Sequence, residues 1–205
     1  MCSDKIHEAE IVIRAQAVVA REAEAVLGLV AQLDEQLIPV VETLFACQGH
    51  VLVTGAGTSR AVAQRFAHLL SCCGTPALFI SAADALHGGA GAIKAEDVLY
   101  IISKGGQSIE INQFAEIARQ RGAKIIAHTE NPDSPLAKLS EVVFCIVTNE
   151  GVDPYGFIAT GSSLVNGAAC DALCVILLEK RGYTKEMFGK THPGGAVGNK
   201  LAHGQ

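Results

Sequence analysis

The feature that most constrains the fold is a repeated order of apolar strand, polar or glycine-rich turn and helix from residue 50 onward. We predict five strands, at 50–55, 76–81, 97–103, 123–129 and 141–147. Helical patterns lie between or after them, at 59–73, 108–122 and 159–182. Apolar strands that alternate with helices are typical of a parallel sheet covered on both faces. Right-handed crossovers then favour a three-layer αβα sandwich with a five-stranded, parallel, flavodoxin-like sheet.

The first part of the chain has no strand pattern. Within 4–47, apolar residues recur at steps of three, four or seven, which predicts two amphipathic helices with a break near Asp34 or Pro39. Without a sheet of their own, these helices must cover the domain or pack against another subunit. We therefore expect oligomer-forming N-terminal helices at 1–48, as part of the same domain as the α/β unit at 49–205.

Composition and charge argue against several classes of function. A hydrophobic content of 49% and a formal charge of −5 fit a folded α/β protein and lack the basic concentration of a nucleic-acid-binding protein. The sequence is charged from Asp4, so no secretory signal is visible, and the apolar run at 173–178 is too short to span a bilayer. We expect a cytoplasmic protein with no nucleic-acid or membrane partner.

The cysteines do not suggest a metal site. There are 7 of them, and none forms a C-x-x-C pair. They are typical of small buried hydrophobic residues in a reducing compartment. Because no zinc-ligand spacing is visible, we expect neither a metal nor a cofactor.

Ligands of doubly wound sheets bind outside the carboxyl ends of the strands, so the loops after strands are candidates. In the first, Gly55 and Gly57 permit a tight turn, and Thr58 and Ser59 add hydroxyl groups at a helix N-terminus. Arg60 replaces the last glycine of the G-x-G-x-x-G motif, which disfavours a dinucleotide site. An ordinary turn with an N-cap is the alternative.

The second loop combines several donors for one anion. Ser103, Lys104 and Ser108 bracket Gly105 and Gly106, and the following helix contributes its positive N-terminal end. The loop lacks the Gly-Lys-Ser/Thr ending of a nucleoside-triphosphate P-loop. A phosphomonoester therefore fits better than a triphosphate, and a plain turn is the alternative.

The third loop is acidic and then rich in hydroxyl groups. Glu150 and Asp153 come just before a helix that opens with Thr160, Ser162 and Ser163. Acids on surface loops serve solubility more often than catalysis. A carboxylate at a strand end, near two other hydroxyl-rich loops, is nevertheless a candidate for catalysis.

Taken in order, short segments of this sequence resemble the sugar isomerase (SIS) domain family, and its arabinose 5-phosphate isomerases in particular. The matched segments are GAGTS (55–59), GTP (74–76), HGG (87–89), SKGGQ (103–107), TGSS (160–163), DAL (171–173) and HPGGAVG (192–198). The resemblance implies the SIS fold and makes 49–205 a phosphosugar-binding domain. Those isomerases continue into a pair of CBS domains, whereas this sequence ends at Gln205, so we expect the isomerase core alone.

The resemblance also implies which residues bind the phosphosugar. The phosphate would be held by the second loop, through Ser103, Lys104, Gly106 and Ser108. The sugar would lie against the first and third loops, at Gly55, Gly57, Thr58, Ser59, Thr160 and Ser162.

The catalytic residues implied by the resemblance are Glu150, His87 and His192. Glu150 would be the base that moves a proton between C1 and C2 through an enediol, and the two histidines would serve ring opening or proton shuttling. His192 would reach the site of a neighbouring subunit in a homodimer or homotetramer. The expected function is therefore aldose–ketose isomerisation of a small sugar phosphate, which needs a base and a donor for the developing charge but no metal.

The sequence departs from the isomerase pattern at several positions. Thr58 stands in place of Lys, Gly89 in place of Asp, and SKGGQ in place of SNSGE, and one extra residue separates Glu150 from Pro154. We expect phosphosugar binding to persist, while the sugar itself is left open. Two further functions also stay open, a non-catalytic phosphosugar sensor or regulator and a sugar-phosphate epimerase or lyase helper.

Overall fold

The computed structural model describes residues 7–194 and Gly198. Its strands are β1 (Val51–Gly55), β2 (Ala77–Phe79), β3 (Val98–Ile102), β4 (Lys124–Thr129) and β5 (Val142–Cys145). They form one parallel sheet in the order β2-β1-β3-β4-β5. This is the flavodoxin-like order, so the predicted fold class is confirmed.

Helices cover both faces of this sheet. They are α1 (Glu8–Gly28), α2 (Leu37–Phe45), α3 (Thr58–Cys72), α4 (Ala82–Leu86), α5 (Ile109–Gln120), α6 (Pro135–Leu139), α7 (Gly161–Lys180) and α8 (Lys185–Thr191). The two predicted N-terminal helices are α1 and α2, and the break includes Asp34, whereas Pro39 lies in the first turn of α2, where proline is tolerated.

Alternate residues of the buried strands face two separate cores. In β3, Tyr100 and Ile102 pack with α1, α2, α3 and α7, whereas Leu99 and Ile101 pack with α4, α5 and α6. The helices that follow the neighbouring strands β1 and β3 therefore lie on opposite faces of the sheet. This arrangement opens a crevice between the carboxyl ends of β1 and β3, where doubly wound sheets bind their ligands.

By length and composition alone, α7 could cross a membrane. In this fold it packs against α1, α2 and α3, and the side chains that it buries in the core include Val165, Leu173 and Leu177. A central core helix meets the same criteria of length and apolar composition, and α7 has that position here.

His128 lies in the core below the carboxyl edge of the sheet. Its Nδ1 atom is 2.9 Å from the Tyr100 hydroxyl oxygen, and its ring packs against those of Tyr100 and Phe144. Burial lowers the pKa of His128 from 6.5 to about 4. The native state therefore holds this imidazole in its neutral form across the physiological range.

We expect His128 to make stability depend on pH. Between pH 6.5 and about 4 the unfolded chain binds a proton at this imidazole and the native state does not, so the free energy of unfolding decreases as the pH falls. The loss attributable to His128 reaches about 3 kcal/mol near pH 4 and is absent above pH 7. Urea denaturation across this range should show a weaker pH dependence in His128→Asn than in the control variant His50→Asn. Equal pH dependence in the two variants would contradict the assignment.

Candidate active site

A small pocket lies at the carboxyl edge of the sheet, where the loops after β1 and β3 meet the start of α7. Its volume is about 40 Å³, well below the roughly 300–1,000 Å³ of typical small-molecule pockets. It is lined by Thr58, Ser59, Val62, Lys104, Ala159, Ser162, Ser163 and Asn166. A sugar phosphate would therefore occupy the pocket in part and extend over the surface beside it.

The loop after β1 can turn directly into α3 because of its glycines. Gly57 has φ +57° and ψ −130°, a conformation that is essentially restricted to glycine. A Cβ atom on Gly55 would lie 2.8 Å from the carbonyl oxygen of Ser59. The tight turn places Thr58 and Ser59 in the first turn of α3, where backbone N–H groups have no partner within the helix.

The loop after β3 is anchored to the fold on one side and open on the other. Ser103 is buried, and its N–H donates to the carbonyl oxygen of His128 at 3.0 Å. Gly106, at φ +63°, packs closely against Ser134. Ser108 is half-buried at the N-cap position of α5, but its side chain does not cap that helix. The first-turn amides of α5 therefore remain available to an anion.

The start of α7 offers an unused polar group. The Thr160 hydroxyl oxygen is buried and, within the part of the chain that the structure describes, has no hydrogen-bond partner. Buried polar groups without a partner are rare and call for an explanation. In the chain, Thr160 lies between the pocket-lining residues Ala159 and Ser162, but it does not itself line the pocket.

Lys104 and Ser162 are joined by Asp153. The carboxylate accepts from the Lys104 ammonium at 3.0 Å and from the Ser162 hydroxyl at 2.6 Å through Oδ2, and from the Ser162 N–H at 2.9 Å through Oδ1. Burial alone would raise the pKa of Asp153, but the hydrogen bonds from Ser162 and Lys104 outweigh it and hold this pKa below its ordinary value. Asp153 is therefore a charged acceptor bonded to two residues of the pocket lining, Lys104 and Ser162.

Two polar residues beside the pocket were not predicted from the sequence as part of the site. Asp153 is visible there only as an acid before a helix, and Glu130 belongs to none of the matched segments. Glu130 lies 3.8 Å from the Lys104 ammonium and directly follows β4. A position immediately after a parallel strand is the signal that would have placed Glu130 at this edge of the sheet.

Two of the predicted catalytic residues are exposed in the single chain. Glu150 lies in a turn after β5, and His87 directly follows α4. Neither side chain forms a hydrogen bond or ion pair within the described residues. Neither residue lines the pocket.

The third predicted catalytic residue, His192, lies away from the pocket. Its ring stacks on Phe188 with the centroids 3.8 Å apart, and its Nε2 atom is 3.6 Å from the Cys72 sulfur. Cys72 and Thr58 are at opposite ends of α3, about 21 Å apart along its axis. Positions 195–197 of the predicted HPGGAVG motif lie outside the described residues.

Curated proteins similar to this chain are sugar-phosphate enzymes. Arabinose 5-phosphate isomerase KdsD of Pseudomonas aeruginosa is 37% identical over 187 residues, which is 91% of this chain and 57% of that protein. The Escherichia coli K12 enzyme of the same name is 33% identical over 184 residues, which is 90% of this chain and 56% of that protein. The chain thus spans slightly more than half the length of these relatives.

Solved structures match over the full fold. A candidate sugar-phosphate isomerase from Listeria monocytogenes has a TM-score of 0.89 and 34% identity, covering 93% of this chain and 100% of that one. An Escherichia coli CFT073 protein in complex with arabinose 5-phosphate has a TM-score of 0.87 and 26% identity, covering 92% and 100%. The SIS domain family itself matches residues 44–176, well over half of the sequence. The chain belongs to the SIS domain family.

Proposed function

We propose that the protein is a phosphosugar isomerase that interconverts an aldose and a ketose phosphate through an enediol. The observation that carries this proposal is the pocket at the switch point of the sheet, where the Thr58 and Ser59 hydroxyls and the Lys104 ammonium meet the N-termini of helices. Similarity to arabinose 5-phosphate isomerases and to a protein solved with arabinose 5-phosphate supports this class of substrate.

Each loop has a proposed role in binding. The phosphate lies at the N-terminus of α5, within reach of Ser103, Lys104 and Ser108, because a helix N-terminus and charge-assisted donors favour a dianion. The Thr58 and Ser59 hydroxyls contact the sugar, and Thr160 and Ser162 close another side of the site. This orientation leaves the carbonyl end of the sugar toward the open surface.

The proposed base is Glu150, which transfers a proton between C1 and C2 of the open-chain sugar. Such a base has to lie within about 3 Å of the proton in the complex. The enediolate oxygen needs a hydrogen-bond donor as charge develops, and ring opening needs an acid, roles for which we propose His87 and His192. Glu150, His87 and His192 would thus supply the base, the hydrogen-bond donor and the acid of the reaction.

We propose that the site is completed between subunits of a cytoplasmic homodimer or homotetramer. The exposure of Glu150 and the distance of His192 from the pocket of its own chain support a shared site. Exposed apolar side chains on α1 provide surface for such contacts, namely Ile11, Val12, Ile13, Val19 and Leu27.

A shared site predicts that inactive variants complement one another. Glu150→Gln and His192→Ala should each be nearly inactive alone, because each removes one group from every site. In a randomly mixed homodimer the two changes can fall into one site and leave the other intact, so about one quarter of the wild-type activity should return. The measurement is turnover after refolding the two variants together. No recovery above the separate variants would contradict a shared site.

The proposed function is tested by a substrate screen followed by NMR. We expect one pentose or hexose phosphate, with arabinose 5-phosphate as the first candidate, to be converted into its ketose or aldose isomer. The matched sugar without phosphate should neither react nor raise the melting temperature. Stabilisation by phosphosugars with no product from any of them would indicate a sensor and contradict the enzyme.

A further inference from the structure

We infer that Asp153 is a positioning residue that holds Lys104 and Ser162 in place at the wall of the phosphosugar pocket, and that Lys104 and Asp153 act as one unit in binding. The inference rests on the proposed function and deepens it, because it states how the cation of the pocket is held. It assigns a specific role to an acid that the sequence pattern shows only beside Glu150, before a helix.

The carboxylate of Asp153 is committed to its neighbours within the fold. The residue is 8% exposed, and both oxygens accept hydrogen bonds, two from Ser162 and one from Lys104. Its lowered pKa fits a carboxylate that stays charged in this position. Asp153 does not line the pocket, whereas Lys104 and Ser162 do, so Asp153 acts on a bound ligand through these two neighbours.

Lys104 is held at both of its ends. Its carbonyl oxygen accepts from the Thr129 hydroxyl and from the Glu130 N–H, both at 2.9 Å. Its ammonium reaches Asp153 at 3.0 Å and lies 3.8 Å from a Glu130 oxygen that also accepts from the N–H and hydroxyl groups of Thr148. A long, flexible side chain is thereby fixed in one direction, which lowers the entropy that binding would otherwise cost.

The pairing of Lys104 with Asp153 also sets the net charge beside the proposed phosphate site. With the carboxylate of Asp153 beside it, the Lys104 ammonium is partly neutralised, and the backbone N–H groups of the loop must share in holding the anion. Removing only the ammonium would leave the buried Asp153 carboxylate without its cation, held by Ser162 alone, near the proposed phosphate site. Like charges at this separation repel, so loss of the cation should cost more than loss of the pair.

The pair also accounts for two departures from the isomerase sequence pattern. Lys104 stands where SNSGE has Asn, and Asp153 lies in the segment between Glu150 and Pro154 that is one residue longer here. These positions are 49 residues apart in the chain and meet in the fold. Each change supplies the charge that the other requires.

The test is a double-mutant cycle on the full chain with arabinose 5-phosphate as the probe. Lys104→Met should raise the Kd at least tenfold, because Asp153 is then unpaired. Asp153→Asn should raise Kd and KM several-fold with a smaller change in kcat, because the ammonium and the Ser162 hydroxyl lose their acceptor. The double variant Lys104→Met/Asp153→Asn should bind arabinose 5-phosphate more tightly than Lys104→Met alone. If Asp153 only stabilised the fold, its replacement would not restore binding.

The control for these variants is Lys138→Met, which removes a cation from α6, outside the pocket lining, and should leave Kd unchanged. A double variant that binds as weakly as Lys104→Met, or more weakly, would overturn the inference. Wild-type protein that binds the probe without turnover would contradict the isomerase proposal, while the order of the Kd values would still test the pair. The two failures are therefore distinguishable.

Discussion

Gly106→Ala should lower the free energy of unfolding by about 3 kcal/mol and weaken phosphosugar binding. Gly106 has φ +63°, a conformation that costs a residue with a Cβ atom about 1–2 kcal/mol. The new Cβ would also overlap the Ser134 hydroxyl oxygen. Ser134 is fully buried and caps α6 by accepting the Ala137 N–H, so moving it costs about 1 kcal/mol more.

The matched control for this variant is the neighbouring glycine. A Cβ atom on Gly105 would meet only the Gln107 side chain, at 3.8 Å. Gly105→Ala should therefore stay within about 0.5 kcal/mol of the wild type in urea denaturation. If the free energy of unfolding falls equally in Gly106→Ala and Gly105→Ala, the close packing of Gly106 against Ser134 is not what requires glycine at position 106.

Glu150→Gln should reduce kcat by a factor of about 10² to 10⁴ with little change in stability. The change removes the proposed base, and proton transfer by a positioned side chain contributes about that factor. The side chain is exposed and, among the residues described, has no bonded partner, so the free energy of unfolding should change by less than about 0.5 kcal/mol. Phosphosugar affinity should persist, because the phosphate is held by other loops.

The control for Glu150→Gln is Glu179→Gln, an exposed acid near the end of α7. It makes the same chemical change far from the pocket and should keep wild-type turnover. Full turnover in Glu150→Gln would remove Glu150 from the mechanism and direct attention to other carboxylates at this edge of the sheet.

The major elements of the fold could be predicted because their signals are local. The strands were visible as short apolar runs, since a parallel sheet buries both faces. The helices α4, α6 and α8 were not predicted, because five to seven residues are too few for a helical period to show. The break before α2 was correctly placed near Asp34, and Pro39 proved to be inside the helix.

The glycine-rich turns could be predicted from their own residues, because Gly57 and Gly106 adopt conformations that glycine favours. The pairing of Lys104 with Asp153 could not be predicted from the sequence, because it depends on how the carboxyl ends of three strands come together in the sheet. The neighbours of His192 could not be predicted either, because the packing of α8 places that residue beside Cys72.

The most direct test of the central claim is isomerisation of arabinose 5-phosphate in deuterated water, followed by NMR. Transfer of a proton through an enediol allows exchange with solvent while the base holds it, so we expect deuterium at C2 of the aldose or C1 of the ketose. Incorporation should depend on Glu150 and should disappear in Glu150→Gln. Binding of arabinose 5-phosphate and of related sugar phosphates, with no isomer formed and no deuterium at either carbon, would contradict isomerisation through an enediol.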